Sequence, residues 1–158
     1  MRTTIVKALI TLLPLVASCA SSGTGQEPRT AAVPEFDGNS LTRALSVADA
    51  THRNVLIEYS SEICPFSRKM ARRALSDTGV KAGLAEVVYV QVRKGRNSRA
   101  FEARWGERKT PTYLVLRPDG SEAGSIVTGL ISTRDFVRYV AWARTADGPE
   151  PALKTGGS

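Results

Sequence analysis

Strand-like apolar runs alternate with helical patterns along the middle of this chain, and this alternation limits the fold more than any other feature. Apolar residues recur at helical spacing after Ser40, whereas residues 55–59 form a short apolar run typical of a buried strand. The pattern continues to about residue 145 and predicts the order α-β-α-β-α-β-β-α. Two βα units, a hairpin and a closing helix indicate an α/β fold: a central mixed four-stranded sheet with helices on both faces.

Local signals set the boundaries of these elements. Pro65 suits the first turn of a helix because a proline lacks the N–H that would be unpaired there. The turn residues Pro118-Asp119-Gly120 join the last two strands, which should therefore be antiparallel. The predicted strands are 55–59, 86–92, 112–116 and 123–128, and the helices begin near Ser40, Pro65, Asp77, Ser98 and either Ser132 or Thr133.

The composition excludes several classes of protein. The chain has 158 residues, 42% hydrophobic and 23% charged, which fits one ordinary globular domain. Two cysteines and one histidine argue against a disulfide scaffold and a histidine-rich metal site. The sequence contains no phosphate-binding loop, metal-ligand cluster or nucleic-acid motif, so we expect no cofactor, no metal and no nucleic-acid partner. The net charge of +7 is compatible with anionic surfaces or acidic partners.

The amino terminus is typical of an export signal. Arg2 and Lys7 precede a short apolar stretch, and residues 1–18 end in Val-Ala-Ser before Cys19. This segment resembles a bacterial lipobox, and the resemblance implies cleavage before Cys19 and lipidation of its thiol. The alternative is an ordinary cleaved signal in which Cys19 falls near the cut. The lipobox implies a cell-envelope protein anchored by lipid on the periplasmic side, and Ala20 favours the outer membrane by resemblance to enterobacterial sorting rules.

Composition also divides the rest of the chain. Residues 19–34 are rich in Ser, Gly, Thr and Pro and are predicted to be a flexible tether. Residues 146–158 have the same character and are predicted to be a disordered tail. The folded domain is therefore expected at residues 35–145.

Cys64 lies between a predicted strand and a predicted helix, in the motif Cys64-Pro65-Phe66-Ser67. A helix amino terminus stabilises a thiolate through its dipole and its free N–H groups, and Arg68 and Lys69 add positive charge nearby. We therefore expect a lowered pKa for Cys64 and a nucleophilic thiol, since the thiolate is the form that attacks disulfides. The alternative is that Cys64 is a small buried hydrophobe.

Residues 36–145 resemble the thioredoxin superfamily. The resemblance rests on the Cys-x-x-Ser at the strand-to-helix junction, on Thr110-Pro111 before the third strand, 47 residues after Cys64, and on Glu58, six residues before Cys64. It implies a cis bond at Pro111 and pairing of Thr110 with the main chain of a substrate.

The resemblance also assigns roles around the cysteine. Pro65 and Phe66 are candidate substrate contacts. Ser67 is a candidate hydrogen-bond donor to the Cys64 thiolate, or alternatively it only fills the space of the lost cysteine. Glu58 either relays protons to Cys64 through water or points to solvent at a strand end. The tryptophan usual in this family before the first cysteine is replaced by Ile63.

Ser67 replaces the second cysteine of a dithiol motif, so the chain cannot resolve a mixed disulfide by itself. The leading hypothesis is a membrane-anchored monothiol thiol–disulfide oxidoreductase or isomerase. Its expected partners are exported proteins with cysteines or disulfides, an external thiol reductant, and the membrane through lipid on Cys19. The alternatives are a redox-inactive thioredoxin-fold binding module and a structural envelope lipoprotein.

Overall fold

The computed structural model describes residues 40–156. The predicted signal, the lipidation site Cys19 and the tether lie outside the described residues and stay predictions. The elements are helices α1 (Ser40–Thr51), α2 (Pro65–Arg72), α3 (Thr78–Leu84), α4 (Arg99–Trp105) and α5 (Thr133–Ala143), and strands β1 (Val55–Ser60), β2 (Val88–Arg93), β3 (Thr112–Leu116), β4 (Val127–Thr128), β5 (Leu130–Ile131) and β6 (Thr155–Gly156).

Strands β1 to β4 form the predicted mixed four-stranded sheet, in the order β2-β1-β3-β4. Strand β1 pairs parallel with β2 and antiparallel with β3, and β4 is antiparallel to β3. Alternate residues of a strand point to opposite faces of the sheet. The two faces of β1 are therefore buried against different helices, and the strand has no exposed residue.

Helices cover both faces of the sheet, as the sequence predicted. One layer packs α1 and α4 against the sheet, with Ala48, Phe101 and Trp105 buried beside Ile57 and Tyr59. The other layer packs α2, α3 and α5, with buried residues that include Met70, Val80, Phe136, Tyr139 and Val140. Leu56 faces this second layer, and Glu58 follows it two residues later on the same face of β1.

Capping side chains set the helix starts that the sequence suggested. The Asp77 carboxylate accepts a hydrogen bond from the N–H of Val80 at 3.1 Å and so caps α3. Ser132, rather than Thr133, caps α5 by accepting from the N–H of Asp135 at 3.1 Å. Cys64 occupies the cap position of α2, and Pro65 is its first residue.

The fourth strand is shorter than the predicted 123–128. The N–H of Ala123 still pairs with the carbonyl of Val115 at 2.9 Å, but regular pairing resumes only at Val127. Between them, the N–H of Ser125 donates to the Glu150 carboxylate at 2.9 Å instead of to a neighbouring strand. A side chain from the end of the chain thus replaces a ladder partner.

The residues from 146 to 156 were predicted to be disordered, and the structure instead packs them against the domain. Ala146 is buried, Leu153 packs against the α2–α3–α5 layer, and β6 pairs with β5 in an antiparallel two-stranded sheet. Composition predicts disorder when a segment lacks apolar groups to bury. Here Ala146, Leu153, the Glu150 carboxylate and the pairing of β6 with β5 all connect the segment to the domain.

Candidate active site

Cys64 lies at the amino terminus of α2, directly after the strand β1 and the loop that follows it. Its backbone is extended, with φ −75° and ψ 121°, so the chain turns into the helix at this residue. The thiol is partly exposed and donates a hydrogen bond to the main-chain carbonyl of Thr110, with 3.1 Å between Sγ and O. The alternative of a fully buried hydrophobe therefore does not describe this residue.

The Thr110–Pro111 segment faces Cys64 from the start of β3. The peptide bond between the two residues is cis. The carbonyl of Pro111 accepts from the N–H of Gly129 at 2.8 Å, which ties the segment to the loop before β5. Thr110 is half-buried and Pro111 is buried, so only the first of them is open to a partner.

The pKa of the Cys64 thiol lies below its ordinary value. Burial acts to raise this pKa, but it is outweighed by hydrogen bonds to the sulfur from the side chain of Thr110, from the backbone and hydroxyl of Ser67, and from the backbone of Phe66. The Thr110 donor belongs to the cis-proline segment, whereas the backbone N–H groups of Phe66 and Ser67 are free groups at the start of α2, as the sequence predicted. The thiolate is therefore the favoured form over a wider pH range than in a free cysteine.

Ser67 is buried and 5% exposed, in the position of the second cysteine of a dithiol motif. Its Oγ accepts a hydrogen bond from the N–H of Ser61 at 3.3 Å, while its hydroxyl can donate to the sulfur of Cys64. The serine thus connects the loop before α2 with the thiol.

Glu58 is 1% exposed, so the alternative in which it points to solvent does not apply. Tyr89 donates a short hydrogen bond to Oε2, Gln91 donates to the same oxygen at 3.0 Å, and Tyr113 approaches Oε1 at 3.4 Å. Burial raises the pKa of the Glu58 carboxyl, although these hydrogen bonds and the charge of Arg93 act in the opposite direction. A raised pKa suits a group that holds a proton and can release it.

Tyr89 and Tyr113 donate to Glu58 as protonated hydroxyls. Burial and the neighbouring carboxyl raise the pKa of Tyr89 and Tyr113 well above the ordinary value for tyrosine, so both hydroxyls stay protonated. Tyr89, Gln91 and Tyr113 carry no local signal in the sequence and were not predicted as site residues. The strand register would have found two of them, because Gln91 and Tyr113 are the residues paired with Glu58 on β2 and β3.

A small cavity lies between Glu58 and Ser67, the neighbour of the thiol. It has a volume of about 170 Å³ and is lined by Glu58, Ser60, Ser67, Arg68 and Arg93, among others. Arg93 pairs with Glu62, and Arg68 donates to the carbonyls of Glu62 and Ile63 at 3.0 and 3.2 Å. The space is large enough for several water molecules between the carboxyl and Ser67.

Apolar side chains beside Cys64 face outwards. Ile63 is 86% exposed and Phe66 is 37% exposed, and Pro65 between Cys64 and Phe66 is exposed as well. Met70, Ala74 and the partly buried Leu75, by contrast, pack into the α2–α3–α5 layer. Exposed apolar residues next to a reactive group are typical of a contact surface for a partner.

The described residues contain no group of three or more side chains suited to holding a metal ion. Within the same range, no helix has the length and apolar character needed to cross a membrane. His52 follows the last residue of α1, is exposed and has no position near the thiol.

Comparison with known proteins identifies the fold. The model of the thioredoxin-like domain family matches residues 41–143, and the chain belongs to this family. It is 28% identical over 112 residues to the thiol:disulfide interchange protein DsbD of Ralstonia nicotianae, which covers 69% of this chain but only 18% of that relative.

Solved structures have the same architecture. A thioredoxin from Thermus thermophilus is 28% identical, with a TM-score of 0.56 over 63% of this chain and 80% of that one. The oxidised DsbD C-terminal domain of Neisseria meningitidis is 20% identical, with a TM-score of 0.59 over 70% of this chain and 98% of that one. At this identity the second match shows the fold alone.

Proposed function

We propose that this chain is a membrane-anchored, thioredoxin-like thiol–disulfide oxidoreductase or isomerase of the bacterial cell envelope, with Cys64 as its single nucleophile. The observation that carries the proposal is the Cys64 thiol itself. It is partly exposed at a helix start, lies 3.1 Å from the Thr110 carbonyl, and has a lowered pKa. The similarity to an interchange protein for thiols and disulfides supports the same class of reaction.

The reaction is an exchange in which bonds and electrons balance. The Cys64 thiolate attacks one sulfur of a client disulfide, a Cys64–client disulfide forms, and the second client sulfur leaves as a thiolate. Ser67 cannot displace the client because it has no thiol. The mixed disulfide is therefore released either by the client's own second thiol, which gives isomerisation, or by an external thiol, which is oxidised as the client is reduced.

Glu58 and Ser67 give the thiol a route for protons. The Ser67 hydroxyl bonds to the Cys64 sulfur, and the cavity of about 170 Å³ that Ser67 lines also contains the Glu58 carboxyl. We propose that water in this cavity passes the proton of the attacking thiol to Glu58 and returns it to the thiolate formed on release. In this proposal Glu58 accepts and returns a proton through water, and it does not contact the client.

The client is proposed to bind across the exposed side of the same residues. Thr110 pairs with the client main chain beside the buried Pro111, and Pro65 and Phe66 contact its side chains together with the exposed Ile63. The clients are exported proteins with cysteines or disulfides. Lipid on Cys19 would hold the domain at the periplasmic side of the envelope, with the outer membrane as the favoured site.

The thiol pKa is the most direct test. In the full chain carrying Cys19→Ser, the rate of alkylation of Cys64 against pH should give a pKa below that of a free cysteine peptide measured alongside. Ser67→Ala should raise this pKa because it removes a donor to the thiolate. A Cys64 pKa equal to or above that of the free peptide would contradict the catalytic role.

Exchange itself needs a second measurement. With a peptide disulfide, the Cys19→Ser chain should form a mixed disulfide, detected by mass, that persists until an external thiol is added. The Ser67→Cys variant should release the peptide without added thiol, since it supplies a resolving group. If Cys64 is alkylated readily but forms no mixed disulfide, the redox-inactive binding module is the better description.

A further inference from the structure

A groove lies beside α2, between that helix and the two-stranded sheet formed by β5 and the C-terminal strand β6. Its volume is about 470 Å³, and its lining includes Lys69 and Arg73 from α2, Leu130 and Ile131 from β5, and Lys154 next to β6. We refer to it as the α2–β6 groove. Its floor is apolar and its rim is basic.

The charge of this groove is of one sign. Three cations line it, Lys69, Arg73 and Lys154, and the lining contains no carboxylate. Some basic side chains elsewhere in the described residues pair with a carboxylate: Lys94 pairs with Glu107, and Arg144 with Glu86. Within residues 40–156, the three cations of the groove form no such ion pair. A concave surface with unbalanced positive charge attracts an anionic ligand.

The groove starts close to the thiol. Lys69 and Arg73 follow Cys64 by five and nine residues, which corresponds to about 7 and 13 Å along a helix that rises 1.5 Å per residue. From the other side, Gly129 immediately precedes β5, and its N–H donates to the carbonyl of Pro111 at 2.8 Å. The two walls of the groove therefore begin at the two segments that meet at Cys64.

The third cation comes from the far end of the chain. Thr155 pairs with Ile131 and Gly156 with Leu130, so that Lys154 lines the same groove as Lys69 and Arg73. Upstream, Glu150 fixes the same segment through its bonds to the N–H and hydroxyl of Ser125. The C-terminal segment thus completes the groove and supplies one of its charges.

We propose that the α2–β6 groove binds an extended, acidic segment of the client protein, whose carboxylates meet Lys69, Arg73 and Lys154 while the client cysteine lies at Cys64. The inference deepens the proposed function, on which it rests, by defining the class of client. An extended chain rises about 3.3 Å per residue. Distances of about 7 and 13 Å therefore place the favoured carboxylates about two and four residues from the client cysteine.

Binding is tested first without any redox step. The protein is the full chain with both Cys19→Ser and Cys64→Ser, and the probes are fluorescent ten-residue peptides in which serine replaces the cysteine. Acidic peptides carry glutamates two and four residues from that serine, on its amino or its carboxyl side, and matched peptides carry glutamine. Fluorescence anisotropy at low salt should show that at least one acidic peptide binds more tightly than its glutamine counterpart.

The variants assign the effect to the groove. Lys154→Gln and Arg73→Gln should each weaken binding of the acidic peptide about two- to five-fold, the range for a single exposed ion pair. Arg43→Gln removes an exposed cation from α1, on the opposite face of the sheet, and should leave binding unchanged. The preference should also shrink as salt is raised.

The same comparison during exchange links the groove to the thiol. With Cys64 restored, acidic and glutamine peptides that carry a cysteine as a mixed disulfide with 2-thiopyridine should react at different rates. The acidic peptide should be faster, and Lys154→Gln should reduce the ratio of the two rates. Because the ratio is taken within one variant, any change in the reactivity of Cys64 itself cancels.

Each outcome decides one of the two proposals. Equal affinity for acidic and glutamine peptides, or equal losses in Arg43→Gln and Lys154→Gln, would overturn the docking of an acidic segment. Selective binding with no exchange at Cys64 would support the groove and count against the oxidoreductase. Exchange at Cys64 at equal rates for acidic and glutamine peptides would support the oxidoreductase and count against the groove.

Discussion

Glu58 is the residue with the least ordinary environment in this domain. Its carboxyl is buried between β2 and β3 and accepts hydrogen bonds from two tyrosine hydroxyls and one amide, while the charge of Arg93 favours the carboxylate. Removing a carboxylate from water is costly, and hydrogen bonds from neutral groups recover only part of that cost. Burial therefore raises the pKa of Glu58 in the folded state, and the folded chain binds its proton more tightly than the unfolded chain does.

Because the pKa of Glu58 differs between the folded and unfolded states, its titration makes the free energy of unfolding depend on pH. A folded pKa above the unfolded value of about 4.5 means that the carboxyl does not reduce stability at lower pH. The free energy of unfolding falls as pH rises through 4.5 and stops falling above the folded pKa. Glu58→Gln removes this titration. We therefore expect the wild-type chain to lose stability relative to Glu58→Gln as pH rises from about 4.5, measured by urea unfolding of both proteins across a pH series.

Glu62→Gln provides the control, since that carboxylate is exposed and pairs only at the surface with Arg93. The free energy of unfolding of Glu62→Gln, plotted against pH, should stay parallel to that of the wild type over most of the same pH series. Parallel curves for wild type and Glu58→Gln would mean that Glu58 titrates alike in both states, against the environment described above.

The candidate site residues could be predicted from the sequence, but the side chains that surround Glu58 could not. Cys64, Pro65 and Thr110 stood out because a thiol, a helix start and a proline segment each have a local signature. Tyr89 and Tyr113 resemble ordinary strand residues, and their contact with Glu58 depends on which strands are neighbours. Sequence spacing does not contain that information.

Helix α3 packs against α5 at a glycine, Gly83. A Cβ placed on Gly83 would lie 2.6 Å from Cγ1 of Val140, a distance that real side chains do not adopt. Val140 is itself buried in the α2–α3–α5 layer, so it has little room to move. The absence of a side chain at residue 83 is therefore what allows these two helices to pack.

Gly83→Ala should destabilise the domain even though alanine is the better helix former. Overpacking of a filled core costs about 1–3 kcal/mol, which exceeds the helix-propensity gain of about 1 kcal/mol. Thermal or urea unfolding gives the measurement. Gly79→Ala is the matched control on the same helix: its Cβ would meet only the Asp77 carboxylate at 3.2 Å and the Val137 side chain at 3.9 Å. A Gly83→Ala chain as stable as wild type would show that α3 can shift away from α5.

The starts of the helices could be predicted from the sequence, whereas the length of the fourth strand could not. Starts of helices were predicted well because Asp77 and Ser132 are strong caps and Pro65 is confined to a first turn. The strand predicted at 123–128 was cut to Val127–Thr128, because Glu150, 25 residues away, takes the N–H of Ser125. Local propensity describes the ends of helices better than strands, whose length depends on distant partners.

For the whole molecule, the C-terminal segment matters most. Its composition of Pro, Gly and polar residues suggested a tail, and yet it packs Leu153 on the core and pairs as β6 with β5. The Glu150 carboxylate adds a polar contact of this segment with the domain, through Ser125. A few specific contacts thus connect the end of the chain to the neighbourhood of Cys64.

Glu150→Gln should loosen this segment without unfolding the domain. The variant exchanges a charged acceptor for a neutral one, which costs about 1 kcal/mol. Hydrogen exchange at the amides of residues 152–156 and at Ile131, which pairs with Thr155, should therefore quicken about five-fold, while amides of β1 and β3 should be unchanged.

Because Lys154 reaches the α2–β6 groove only when the segment is docked, the same variant should also bind acidic peptides more weakly. Quicker exchange throughout the sheet would instead mean that Glu150 supports the stability of the whole domain, and that the segment is part of the fold and not a separable wall of the groove.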